Sequence, residues 1–475
     1  MSVKHIVFVA VALLLQACGG GGGGGGSTDP VASSQASLSS SSVSSISSSS
    51  SSKSSSSMPA DYPVGTADSL PVLNLKTDNS APIISKVDYL KGSFSLKDTD
   101  GTTVDGTLEV RGRGNSTWDW PKKPYRLKLT NSTALLAMPA GKNWVLLANY
   151  ADKTMVRNDV AFMFSRNLGM EYTPRSQYVE LNLNGAYQGV YQLVEHIRID
   201  KSRVNIPEMK VTDTDADKIT GGYLLEVDFR HNKNYCSTSS GDPVCKNGVN
   251  TSRDVDFCID STHGMDPVCL SNPDTLHDVA WSAQRDYIVK YYNDFEAALF
   301  GSNFTDPNVG YAAYVDVDSV VNYYLANEVL KNVDGTASSF FIYKKRGGKF
   351  FFGPIWDFDL SMGNAGYNDV DKSYGWHIRK AAWYDRFFQD PAFVAKVKER
   401  WTKLKSEGKI EYLAQYAEAR GAWLDKQQKA NYQIWSVTDF AGWIMHVPRG
   451  SYSAEVTEMV RWQRERNAWI DSQLQ

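Results

Sequence analysis

The chain has 475 residues, with 50 basic and 53 acidic side chains for a net charge of −3, and 42% of it is hydrophobic. That balance, with no long basic run, excludes a nucleic-acid partner held through its phosphates. Past the N-terminus no apolar run approaches the roughly 20 residues of a membrane helix, and the roughly 410 residues beyond Asp61 are enough for two packed halves.

The chain begins with Lys4 and a compact apolar run, Ile6 to Leu15, too short for a stable membrane helix. It closes on Leu15-Gln16-Ala17-Cys18, which resembles the lipobox of bacterial lipoproteins. The resemblance implies a signal peptide over 1–18, a lipid on Cys18 as the only membrane attachment and, with Gly19 next, sorting to the outer membrane or cell surface of the envelope. Gly19 to Gly26 and a serine tract from Ser33 to Ser57 follow. Neither can bury apolar surface, so 19–60 reads as a flexible, disordered tether.

Residues 61–230 read as a β-rich N-terminal lobe. Short alternating segments such as "PVLNLKT" and "PYRLKLT" predict an antiparallel sheet. "TMVRNDVAFMFSRNLG" predicts a helix with Val156, Val160, Phe164 and Leu168 on one face and Gly169 as its stop. Asn184-Gly185 predicts a hairpin. Residues 231–273 form an insertion holding Cys236, Cys245, Cys258 and Cys269. An even count in an exported protein points to two disulfides. A Cys₄ zinc site is the competing reading, although no CxxC pair occurs. Pairing in sequence order is the simplest of three connectivities, and sequence does not choose among them.

Residues 274–475 read as a mainly helical C-terminal lobe. "DVDSVVNYYLANEVL" predicts a helix capped by Asp318, with Val321, Leu325 and Val329 on its buried face. "QDPAFVAKVKERWTKLKS" predicts another, opened by Asp390 and Pro391. Between them lie Asn332-Val333-Asp334-Gly335, a hairpin, and "FFGPIWDFDLSMGN". If a strand continues through Asp357 and Asp359, their carboxylates project together, as hard oxygen ligands for Mg²⁺ or Ca²⁺. A helix, an exposed aspartate, a hairpin and an aspartate beside phenylalanine follow the layout of a protein-kinase C-lobe.

Four blocks together resemble the CotH family of atypical kinases: "RGRGNSTWDWPKKPYRLKL", "NLNGAYQGVYQLVEHI", "NVDG" and "IWDFDLSMGN". The resemblance implies an α+β, divergent protein-kinase-like two-lobe fold. It also implies phosphoryl transfer from ATP, with Mg²⁺, to Ser or Thr of an envelope or secreted protein. By the same resemblance Asp334 is the catalytic aspartate and Asp357 the metal-binding one, with Asp359 a second ligand or a turn cap. Arg113, Gly114, Asn115 and Ser116 make a polar turn able to approach phosphates through backbone N–H groups. Lys128 is the candidate phosphate-gripping lysine, in competition with Lys123 and Arg113. Glu195 is its candidate ion-pair partner, and Glu226 sits where a segment linking the lobes meets adenine. The family's second metal-ligating asparagine is replaced by Ser339, whose hydroxyl can ligate Mg²⁺ but changes the geometry.

Two other readings stand beside the kinase. The polyserine tether, similar to spacers of secreted polysaccharide-degrading enzymes, and the 12% aromatic content suit a carbohydrate-active or sugar-binding protein. Ser339 suits a tethered pseudokinase scaffold.

Overall fold

The alternation of Val72–Thr77 (β1) points Leu73 and Leu75 to one side, where they meet Phe94 and Leu96 of Leu90–Lys97 (β2). Thr103–Gly112 (β3), Tyr125–Leu135 (β4), Met138–Leu147 (β5), Ser176–Leu183 (β6) and Ala186–Glu195 (β7) continue the same two-sided pattern. β6 and β7 are joined at Asn184-Gly185, both with positive φ (52° and 83°), as the hairpin signal predicts. All neighbours pair antiparallel except β1 and β6, whose parallel register from Val72–Glu180 to Leu75–Leu183 closes the sheet into a barrel in the order β1-β2-β3-β4-β5-β7-β6. This is the computed structural model of the protein. It describes residues 67–474 apart from 239–244, 247–248 and 253–255, so Cys18 and the tether lie outside the described residues.

The barrel has two hydrophobic faces. Trp144 and Leu146 of β5 fill its interior, while Val145 of β5 and Val194 of β7 point outward into a second, larger core. That core is built on Arg157–Leu168 (α1), ten of whose twelve residues are buried. Gly169 ends α1 with φ 76°. A five-stranded sheet lies in the same core, in the order β11-β12-β8-β13-β14. Its strands are Tyr223–Val227 (β8), Cys258–Ile259 (β11), Val268–Asn272 (β12), Phe340–Lys344 (β13) and Phe350–Phe352 (β14). Between β8 and β11 run a short helix, Tyr235–Thr238 (α2), and a two-stranded ladder, Cys245–Lys246 (β9) with Val249–Asn250 (β10). Disulfides join Cys236 to Cys245 and Cys258 to Cys269, the sequence-order pairing.

The remaining helices are Ser282–Phe300 (α3), Val317–Val329 (α4), Ala382–Phe387 (α5), Pro391–Ser406 (α6), Lys409–Trp423 (α7), Asp425–Ile434 (α8) and Tyr452–Leu474 (α9). Among the described residues no helix is long and apolar enough to cross a membrane.

Three expectations are corrected. The fold is α+β, but its halves are not the two lobes of a kinase. The N-terminal strands close into a seven-stranded barrel, and β8, expected with them, leaves to pair with β13, more than a hundred residues on. Barrel and open sheet share one local alternation, and only the register between distant strands separates them. The cap of α4 is Asp316, whose Oδ1 accepts from Ser319 N at 2.8 Å, while Asp318 lies in the first turn and pairs with Lys396. The third concerns the chain after β14, which is not a strand at Asp357.

Candidate active site

α4 is buried from Val320 to Val329, so it delivers a fixed turn rather than a flexible loop. In that turn Asn332 Oδ1 accepts from Asp334 N at 3.3 Å, and Tyr323 donates its hydroxyl to Gly335 O at 3.0 Å. The Asp334 carbonyl accepts from Ala337 N and Ser338 N at 2.9 and 3.0 Å. Gly335 is required by close approach: a Cβ there would stand 2.6 Å from Asn327 Oδ1 and 2.9 Å from Ile378 Cδ1. The backbone around Asp334 is thereby spent on itself, and the residue as a whole is half-buried.

β14 ends at Phe352, and Asp357 takes φ 65°, a region L-residues seldom occupy and which clusters at functional sites. The segment is held from α1 instead of by strand pairing. Asn158 Oδ1 accepts from Phe358 N at 2.8 Å, Arg157 Nε donates to Ser361 O at 3.0 Å, and Asn364 Nδ2 donates to Asp359 O at 2.7 Å. Arg157 is itself anchored by the buried carboxylate of Asp152. Asp357 and Asp359 still come together, with a hydrogen bond between their carboxyls.

The three carboxyls act on one another. Burial pushes Asp334 up to about 7, reinforced by Asp357 and Asp228. Asp359 is driven well above the carboxylate range by burial, then by Asp357, Asp152 and Asp334. Burial also raises Asp357, while the Arg113 guanidinium pulls it back. Tyr367 feels all three, and its phenol is raised mainly by burial. Carboxylates crowded this way share protons unless a cation takes their place. Their all-oxygen donor set fits a hard divalent ion.

Arg113 lies beside them, its Cζ 5.7 Å from the Trp356 ring centroid, with Asp357, Glu226 and Asp359 as its opposing charges. Glu226 on β8 is raised to about 8 by burial and then Asp228; its Oε2 accepts from Ser271 Oγ at 3.4 Å. The structure thus brings Asp334, Asp357, Asp359, Arg113 and Glu226 together. Gly114, with φ 89°, opens the turn at Asn115 and Ser116, which are exposed; its carbonyl accepts from Lys86 Nζ at 3.0 Å.

Other candidates are placed apart. Lys128 is 52% exposed and bonded to Glu109 at 3.2 Å. Glu195 is buried and bonded to Arg175, Tyr172 and Arg203, and among the described residues no lysine pairs with it. Ser339 has φ 53°, and among the described residues its hydroxyl makes no hydrogen bond to the carboxylates. His231 with Cys258 and Cys269 has metal-ligand proximity, but both sulfurs are spent in a disulfide.

Sequence reasoning missed Asp228, whose i, i+2 spacing from Glu226 was an available signal. It also missed Arg111, Arg126 and His196, which share the outward face near Arg113. The Asp152–Arg157–Asn158 support carried no signal, because its partners lie some 200 residues away along the chain.

Fold and site define an α+β protein in which a carboxylate cluster from two turns meets an arginine from a closed barrel. Residues 110–470 match the family model described as CotH kinase protein, and the chain belongs to that family. No curated protein matches it.

Proposed function

We propose that this protein is an atypical kinase that transfers the γ-phosphoryl group of ATP, with Mg²⁺, to a Ser or Thr hydroxyl of an envelope or exported protein. The reading is carried by the convergence of Asp334 and Asp357, 23 positions apart in the numbering, on one charged site. Asp357 and Asp359 would hold the cation, which offsets charge on the phosphoryl group when bound. Asp334, raised toward neutrality, orients the acceptor hydroxyl and takes its proton as the new O–P bond forms and the bond to the ADP leaving group breaks. Arg113 faces the same space as a counter-charge for phosphate oxygens.

An exported location is supported by the two disulfides and by the apolar run that ends at Cys18, the proposed lipid anchor. A sugar-binding role is less favoured: every described tryptophan side chain is buried or half-buried, so none is offered as a fully exposed stacking platform. The test is label transfer from γ-labelled ATP to an added Ser/Thr-rich protein. Wild type should label it, and Asp334→Asn and Asp357→Asn should each lose a factor of about 100 or more. Nucleotide binding without transfer by the wild type would replace the kinase by a pseudokinase scaffold.

A further inference from the structure

Arg111 on β3 and Arg126 on β4 stand directly opposite each other in the ladder. Both point outward, because Val110 and Leu127 beside them fill the barrel. Like charges facing each other across two strands destabilise a sheet, and a carboxylate between them is the usual remedy. Here the nearby glutamates are committed elsewhere: Glu109 to Lys128 at 3.2 Å and Glu195 to Arg175 at 3.1 Å.

What surrounds the pair is more positive charge. Arg126 donates to Asn143 Oδ1 at 3.2 Å and to His196 Nε2. The ionisable neighbours acting on Arg126 are Tyr89, Arg111, Arg113 and Arg198; those acting on His196 are Arg126, Arg113, Arg203 and Arg198. Burial, followed by these arginines, holds His196 neutral. With Nε2 taken by Arg126, its proton sits on Nδ1. That atom and the Nε atoms of Arg111 and Arg126 are buried without a hydrogen-bond partner. Arg113 joins this group to the carboxylates, since it alone also faces Asp357 and Asp359. Apart from the Tyr89 ring, 5.0 Å from Arg111 Cζ, nothing offsets this pair, and a local rule broken with so little compensation marks a site whose missing partner is a ligand.

We propose that Arg111, Arg126, Arg113 and His196 form a clamp for a linear triphosphate, so that the phosphoryl donor is recognised chiefly by its phosphate tail. The inference rests on the kinase reading for the role of that tail, and on the arginines alone for its binding. Guanidinium forks and one imidazole N–H match non-bridging phosphate oxygens, with the cation end of the tail on the carboxylates. The same chemistry is offered by a nucleoside triphosphate and by inorganic tripolyphosphate.

The experiment is calorimetric binding of inorganic tripolyphosphate, ATP and AMP to the full chain, with chelator and again with Mg²⁺. Tripolyphosphate and ATP are expected to bind within about tenfold of each other, and AMP at least tenfold more weakly. Arg126→Gln should weaken tripolyphosphate and ATP in parallel by about tenfold, with Arg126→Lys between it and wild type. Unchanged melting curves and near-ultraviolet spectra would show that the variants keep their fold. ATP binding without tripolyphosphate binding, or a folded Arg126→Gln protein that binds both as wild type does, overturns the clamp. Transfer activity read in parallel separates the two readings. Tripolyphosphate binding without transfer sinks only the kinase, and transfer without tripolyphosphate binding sinks only the clamp.

Discussion

Lys153 is 1% exposed, its ammonium 4.3 Å from the Tyr150 ring centroid and without a hydrogen-bond partner. Burial lowers it from 10.5 to about 8, against the pull of Asp439, Glu455 and Asp152. Its folded pKa therefore lies below the unfolded one. Between about pH 8 and 10.5 the unfolded chain keeps a proton that the native protein has lost, so this group's contribution to stability improves as pH rises through that window. Below pH 8 its penalty is on the order of 3 kcal/mol. Lys153→Met, similar in shape and uncharged, should melt above wild type at pH 7, with the gap closing toward pH 10.5. Melting curves across that range decide it, and a gap independent of pH would refute it. At this scale sequence was informative where chemistry is local. Asp334 beside glycine and Asp357 beside phenylalanine are short motifs, and both reach the site. Lys128 lies on the same face of β4 as Arg126, which the sequence reading missed, yet it is exposed and paired with Glu109, because alternation specifies a face and not how far along it a site extends.

α1 shows how an element far from the chemistry in sequence supports it. Its first turn is held by Asp152, and its Asn158 supplies the acceptor for Phe358 N between the two aspartates. Asn158→Ala leaves that N–H unsatisfied in a buried place, at about 1–3 kcal/mol. It also frees the segment that aims Asp357 and Asp359, so divalent-cation affinity should fall by about tenfold or more. Thermal melting and calorimetric titration with Mg²⁺ or Mn²⁺ measure both effects. A variant that melts lower yet binds the ion as well as wild type would show that α1 does not position the carboxylates. The helix itself was legible from the apolar spacing of Val160, Phe164 and Leu168 and from Gly169. Its polar residues were not, since their partners come from another part of the chain.

The described residues from 67 to 474 fall in one compact unit, and contacts within it join segments far apart in the chain. β8 pairs with β13, Tyr416 and Arg420 of α7 bond Asp159 of α1 at 2.9 and 2.7 Å, and Ala67 N donates to Trp423 O at 2.9 Å. A fragment of residues 62–230 would leave the outward faces of β5 and β7 and nearly all of α1 in water. It is expected to show no cooperative melting transition and no near-ultraviolet circular dichroism, whereas 62–475 should melt in a single calorimetric peak. A fragment with its own sharp transition would show that the barrel is an independent domain.

Sequence alone determined the α+β class, the places of α1, α6 and the β6–β7 hairpin, and the residue types able to hold a cation and move a proton. These depend on periodicity, caps and turns, whose range is a few residues. Only the tertiary structure decided that the first seven strands close into a barrel, that Asp357 leaves the strand, and that of the competing cations Arg113, not Lys128, faces the carboxylates. Each of those depends on register and burial between segments far apart in the chain, where the free energy belongs to the pair and neither partner carries a mark of it.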